Sequence, residues 1–138
     1  MDIKTKEKRS QNMARIRSKN TAPELRIRKM LTKLGWKYRL HSKNLPGKPD
    51  IVVSKIKTAI FVNGCFWHQH KGCKKCTIPK SHIEHWRRKL EGNIQKQKQN
   101  IKVLHRLGWE ALIIWECQTK NEKSLYKILR RVVGKTRI

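Results

Sequence analysis

Of the 138 residues, 35 are Lys or Arg and 9 are Asp or Glu, giving a formal net charge of +26. This length fits one compact domain, and 37% hydrophobic residues with five Trp supply a modest core, which argues against wholesale disorder. Such a surface repels itself unless a polyanion neutralises it, which counts against an ordinary metabolic enzyme and for a nucleic-acid partner.

Residues 1–20 are polar and basic, with Lys4, Lys6, Lys8, Arg9, Arg15, Arg17 and Lys19. They read as an arm or helix that orders on DNA, ahead of a folded domain over 21–138. Thr21-Ala22-Pro23-Glu24 matches a capping box with a proline in the first turn, and predicts a helix to about Leu34. Leu25, Leu31 and Leu34 are expected inward, with Gly35 as the stop. Trp36, Tyr38 and Leu40 alternate with Lys37, Arg39 and His41, the pattern of a half-buried strand. Ile51-Val52-Val53 and Ala59-Ile60-Phe61-Val62 read as a hairpin. A long helix is expected from a second capping box, Ser81 with Glu84, to about Leu107 before Gly108. Ala111 to Trp115 is a continuous apolar run, hence a central strand, and a basic helix follows over Glu122 to Val133. The sum is an α/β domain with one mixed sheet flanked by helices. No segment reaches the length of a bilayer span and none reads as a signal peptide, so a soluble, cytoplasmic, nucleoid-associated protein is expected. An acidic membrane surface and a ribosomal-type structural role are the competing explanations of the charge.

The scarcity of acids makes their positions informative. Between Lys8 and Ile83 there are only Glu24 and Asp50. Asp50 closes the turn Leu45-Pro46-Gly47-Lys48-Pro49-Asp50 at the mouth of an apolar strand. There it can hold a divalent cation against a phosphate, or serve as a turn residue satisfied by backbone N–H groups. Glu24 fits capping first, a role that does not exclude a second one.

All four cysteines fall at Cys65, Cys73, Cys76 and Cys117, with His68 and His70 inside the first loop. Zinc takes four thiolate or imidazole ligands, which Cys65, His70, Cys73 or Cys76, and Cys117 can supply; spacing alone does not choose between Cys73 and Cys76. Buried core thiols are the plainer alternative. One histidine can serve the metal while the other faces the basic cleft as a general acid or base. Phe66-Trp67 and Trp86 are aromatics in basic surroundings, suited to stacking on bases, although Trp86 also fits an apolar helix stripe.

Taken together, Asn63-Gly64-Cys65-Phe66-Trp67-His68, the upstream Pro46-Gly47-Lys48-Pro49-Asp50 and the downstream Gly108-Trp109 and Trp115-Glu116-Cys117 resemble the very-short-patch-repair (Vsr) endonuclease family. Arg9-Ser10-Gln11-Asn12-Met13 and Thr21-Ala22-Pro23-Glu24 are similar to its opening, so the resemblance runs from about Lys8 to Cys117. It implies a restriction-endonuclease-like domain that nicks one strand of double-stranded DNA at a T:G mismatch left by deamination of 5-methylcytosine. By the same resemblance, Asp50 and the Val62 carbonyl hold catalytic Mg²⁺, His68 is the general base and Glu24 a supporting acid. Cys65, His70, Cys73 and Cys117 hold structural Zn²⁺. Phe66, Trp67 and Trp86 wedge beside the mismatch, Met13 enters from the other groove, and Lys89 and Asn93 read base edges.

Two positions depart from the family pattern. Asn63 stands where the best-known members carry a second active-site histidine; it can hydrogen-bond a phosphate or water but cannot shuttle a proton. Cys76 is an additional thiol. A monomer is expected, with functional links to a cytosine methyltransferase and mismatch-repair proteins. Two rival functions remain: a restriction or defence nuclease without mismatch preference, and a zinc-stabilised DNA-binding protein without catalysis.

Overall fold

The computed structural model describes residues 21–73, 78 and 80–133. The arm at 1–20, with Met13, and the thiol of Cys76 lie outside the described residues. One helix and three strands are described before the midpoint: α1 (Ala22–Lys33), β1 (Arg39–Leu40), β2 (Ile51–Val53) and β3 (Thr58–Asn63). They are followed by α2 (Ile83–Arg106), β4 (Glu110–Trp115) and α3 (Glu122–Val133), with 3-10 turns at Ser54–Ile56 and Glu116–Lys120. This is the expected order of helix, strand, hairpin, helix, strand and helix.

Helix α1 begins as its sequence dictates. Thr21 Oγ1 accepts from the Glu24 N–H at 3.4 Å, and Pro23 occupies the first turn. It ends in a Schellman arrangement: Gly35 N–H donates to Thr32 O and Trp36 N–H to Leu31 O, both at 3.0 Å. Gly35 takes φ 81°, which suits a residue without Cβ. The buried stripe is Ile27, Met30 and Leu31, whereas Leu25, expected inward, is 47% exposed. Two residues from Ile27 is about 200° around the helix, so Leu25 turns away from the core.

The sheet runs β1-β2-β3-β4, antiparallel across the first three strands and parallel between β3 and β4. It is therefore mixed, as predicted. Two strands differ from expectation. Only Arg39 and Leu40 pair in β1, although Trp36, Tyr38 and Leu40 still pack against the core. Strand β4 is an edge among the described residues rather than central. Its apolar run reflects cover on both faces by helices, which the alternation rule cannot distinguish from having two strand neighbours.

Alternate residues divide the core. Ile51, Val53, Ile60 and Ile114 pack with Ile27, Leu31, Leu125 and Leu129, so α1 and α3 cover one face. Ala59 and Phe61 pack with Leu104, and with Trp109 and Ile113, so α2 covers the other. Helix α2 starts two residues later than expected, at Ile83, with His82 at its N-cap in a left-handed conformation (φ 57°) and without a side-chain cap bond. With His82 as N-cap, Ser81 and Glu84 each stand one position too early to form the expected capping box. Among the described residues, no helix is long and apolar enough to cross a membrane.

Candidate active site and metal centre

The parallel pair β3 and β4 organises the chemistry-bearing residues. Their register aligns Asn63 with Trp115, so the chain leaves both strands at the same level. Cys65 and Cys117 each lie two residues beyond. The Glu116 carboxylate ties the two exits together by accepting from the Cys65 N–H at 3.0 Å.

Asp50 sits where β2 begins, inside an open cleft of about 480 Å³ lined also by Val62, Asn63, Trp67, His68 and Gln97. The turn that delivers it depends on Gly47. At φ 79°, a Cβ there would lie 3.0 Å from the Asn100 Cβ and 3.1 Å from the Phe61 ring. Asp50 Oδ2 accepts from the Val62 N–H at 2.8 Å, and its own N–H donates to Ile60 O at 3.1 Å. Burial pushes the Asp50 carboxyl up to about 6, with the nearby charge of Glu24 adding to the rise and the Val62 N–H and His41 opposing it. An acid so placed is relieved by a cation. Asp50 and the Val62 carbonyl therefore have the donor chemistry for a hard divalent ion.

His68 opens onto the same cleft, and burial lowers its pKa, favouring the neutral ring able to accept a proton. Its Nδ1 is the one buried side-chain nitrogen or oxygen without a hydrogen-bond partner among the described residues. Glu24 is not in the cleft wall. It is 2% exposed behind it, with Oε1 2.6 Å from His41 Nε2. Asn63 is also buried, at 2% exposure, and exchanges two 2.8 Å hydrogen bonds with the Gln97 amide.

Cys65, His70, Cys73 and Cys117 converge, their ligand atoms all within 4.8 Å of one another. His70 Nδ1 lies 3.6 Å from Cys65 Sγ and 3.4 Å from Cys117 Sγ. A zinc tetrahedron with ordinary bond lengths spaces sulfur and nitrogen by about 3.6 Å, so the group fits such an ion. The His70 ring stacks on Trp115 at 4.2 Å and 10°, which fixes its orientation. Burial pushes the Cys65 thiol up to about 12, with the Cys117 and Cys73 thiols adding to the rise. A thiolate here calls for a cation. His68 and His70 thus face different sites, as the sequence suggested.

Phe66, Trp67 and Trp86 form one aromatic cluster beside the cleft, with ring centroids 5.1, 5.6 and 6.0 Å apart. Lys89 Nζ lies over both Trp67 and Trp86, at 5.4 and 5.7 Å. Asn93 lines the cleft, its Nδ2 3.5 Å from Trp67 O. The structure therefore joins the aromatics, Lys89 and Asn93 to the rim of the cleft that holds Asp50 and His68. Lys48, Lys96, Gln97 and Asn100 also line the cleft, and the sequence reading gave none of them a site role. Gln97 did carry a signal, since Lys89, Asn93 and Gln97 repeat every four residues along one face of α2.

A mixed α/β domain that sets Asp50 and His68 in one cleft, beside an aromatic rim and a Cys3His group, has the residue set of a nucleic-acid enzyme. Comparison with known proteins agrees. The model of the family described as DNA mismatch endonuclease Vsr matches residues 1–75. A type II nicking enzyme of Neisseria meningitidis, V.NmeAIP, is 42% identical over 132 residues, covering 96% of this chain and 94% of the relative. The type II nicking enzyme V.XorIIP of Xanthomonas oryzae is 39% identical, covering 92% of this chain and 93% of the relative. The DNA mismatch endonuclease Vsr of Escherichia coli is 38% identical over 124 residues, 90% of this chain and 79% of the relative. The chain belongs to the Vsr family of DNA mismatch endonucleases. Membership supports a DNA endonuclease as its class of activity.

Proposed function

We propose that this chain is a restriction-endonuclease-like enzyme that nicks one strand of duplex DNA at a T:G mismatch, using Mg²⁺. Residues 21–138 would be the endonuclease domain and 1–20 a basic arm or helix that orders on DNA. The observation that carries the reading is the meeting of Asp50 and His68 in one cleft whose rim is an aromatic cluster.

Asp50 and the Val62 carbonyl would hold Mg²⁺, which supplies positive charge against the scissile phosphate when bound. His68, its pKa lowered by burial, would take a proton from the water that attacks the phosphorus as the P–O bond to the leaving oxygen breaks, that oxygen taking its proton from solvent. Lys48 and Lys96 line the cleft and offset phosphate charge. Glu24 supports Asp50 from behind as the second acid. Asn63 stays neutral and is held by Gln97, so one imidazole rather than two carries the proton chemistry. Phe66, Trp67 and Trp86 stack on or wedge between bases, and Lys89 and Asn93 lie where base edges would arrive. Zn²⁺ on Cys65, His70, Cys73 and Cys117 holds the loop that carries His68 and the wedge.

Incubating the protein with supercoiled plasmid and with a T:G duplex, in Mg²⁺ or EDTA, tests this. The expected result is Mg²⁺-dependent nicking of the mismatched duplex and little of a matched one. Equal cutting of both overturns mismatch specificity and leaves a restriction-type nuclease; cutting in EDTA overturns the metal assignment; no cutting leaves a DNA-binding protein.

A further inference from the structure

Behind the cleft, a histidine that the proposed chemistry does not use grips both acids. His41 Nε2 lies 2.6 Å from Glu24 Oε1, at the short end for a charge-assisted contact. The Glu24 side chain is 3% exposed and that of His41 23%, so the pair sits largely out of water. The same residue reaches the other acid through its backbone. The register of β1 on β2 pairs Leu40 with Ile51, and one step further the His41 N–H donates to the Asp50 carbonyl at 2.9 Å. His41 takes φ 48°, the left-handed region that is uncommon for a residue with a Cβ. Glycine would adopt that backbone without strain but would lose the imidazole. Strain tolerated at such a point is an ordinary mark of a side chain that matters to a site.

We infer that His41 is a positioning residue for the acid pair. Its ring orients the Glu24 carboxylate behind the cleft and its N–H fixes the Asp50 peptide, so that Asp50 meets a divalent cation already arranged. The same kind of outer contact, a carboxylate held by a neighbouring donor, tunes metal sites generally. The inference rests on the reading of Asp50 as a cation-holding residue. A purely structural ion pair would change folding stability and leave cation binding alone, which separates the two roles.

The test uses the full-length, zinc-loaded protein and Ca²⁺ as a probe that binds without cleavage, followed by titration calorimetry alongside thermal melting. His41→Asn keeps a residue that tolerates the left-handed backbone but falls short of Glu24. His41→Gln restores a donor at about the reach of the imidazole. The expected outcome is Ca²⁺ binding weakened roughly ten-fold or more in His41→Asn and largely recovered in His41→Gln. In a Glu24→Gln background, His41→Asn should cause no comparable further loss. Wild-type affinity in His41→Asn, or an equal loss with and without Glu24, overturns the inference while leaving the role of Asp50 intact. Absence of Ca²⁺ binding in the wild type, or binding unchanged by Asp50→Ala, overturns the cation reading of Asp50 and the inference with it. A variant that melts early yet binds Ca²⁺ as the wild type does assigns His41 a structural role and overturns the inference too.

Discussion

The Asn63–Gln97 pair lends itself to a quantitative experiment, because one side chain is buried and the other is only half so. Gln97→Ala removes both 2.8 Å bonds and strands an amide donor and an acceptor on a residue that is 2% exposed. An unsatisfied buried polar group costs about 1–3 kcal/mol, so two would cost up to about 6 if the site stayed dry. It will not stay dry, since Gln97 lines an open cleft and its truncation admits water to Asn63. The expected loss is therefore about 1–2 kcal/mol, a fall of roughly 3–8 °C in Tm for a domain of this size. Asn63 directly follows Val62, whose N–H holds Asp50, so nicking should fall more than DNA affinity does. A double-mutant cycle with Asn63→Ala, read by thermal melting and by single-turnover nicking, isolates the pair. A coupling below about 0.5 kcal/mol would refute the claim that these two amides support each other.

Three further outcomes follow from the site. Asp50→Asn should abolish nicking and keep DNA binding, and it should also stabilise the metal-free protein. The carboxyl is raised from 3.8 to about 6, so its burial costs nothing below pH 3.8 and reaches its full extent above 6. Urea titrations in EDTA should show the variant more stable by up to about 3 kcal/mol at pH 7.5, with the difference gone near pH 3.5; an equal gain at both pH values would contradict the electrostatic origin. Cys117→Ser should lose bound zinc by atomic absorption and lower Tm on the order of 10 °C, and retained zinc would remove Cys117 from the ligand set. Trp86→Ala should weaken binding to a T:G duplex by about 1–3 kcal/mol in fluorescence anisotropy without changing the salt slope; a reduced slope would instead mean lost phosphate contacts.

What the sequence made legible was whatever local chemistry imposes. Thr21, Pro23 and Gly35 bound α1 because caps and left-handed stops act within one turn. The hairpin of β2 and β3 and the span of α3 were equally local matters of apolar pattern. The long-range part was not legible. Nothing in the order of residues says that β4 pairs with β3 on one side only, or that His41 crosses to Glu24. Asn63 read as a departure from a family pattern, while its partner Gln97, 34 residues away, became visible only when α2 was laid across the sheet. The Cys3His group lies between these cases. Its candidate ligands were evident from type, with Cys73 and Cys76 left as alternatives by spacing, but the convergence of Cys65 with Cys117 depends on the parallel register of β3 and β4.

That register also ties the Cys3His group and the segment that carries His68 into one mechanical unit. His68 lies between Cys65 and His70 in sequence, so its backbone is bounded on both sides by residues of the Cys3His group. Its N–H donates to Gly64 O, and the His70 N–H donates to Cys65 O at 2.8 Å, which closes the segment into successive turns. The aromatic rim begins on the same segment, at Phe66 and Trp67. Asp50, by contrast, is held by β2 and β3 and by the core beneath α1, independently of the cysteines. Partial loss of the metal in the Cys3His group should therefore separate the two halves of the proposed site. Cation binding at Asp50 would persist, while His68 and the wedge lose their fixed placement and with them cleavage and mismatch preference. Ca²⁺ titration and T:G nicking, measured on the same sample during slow chelation, would show the second falling before the first. If both decline together, the Cys3His group supports the whole fold rather than the segment that carries His68.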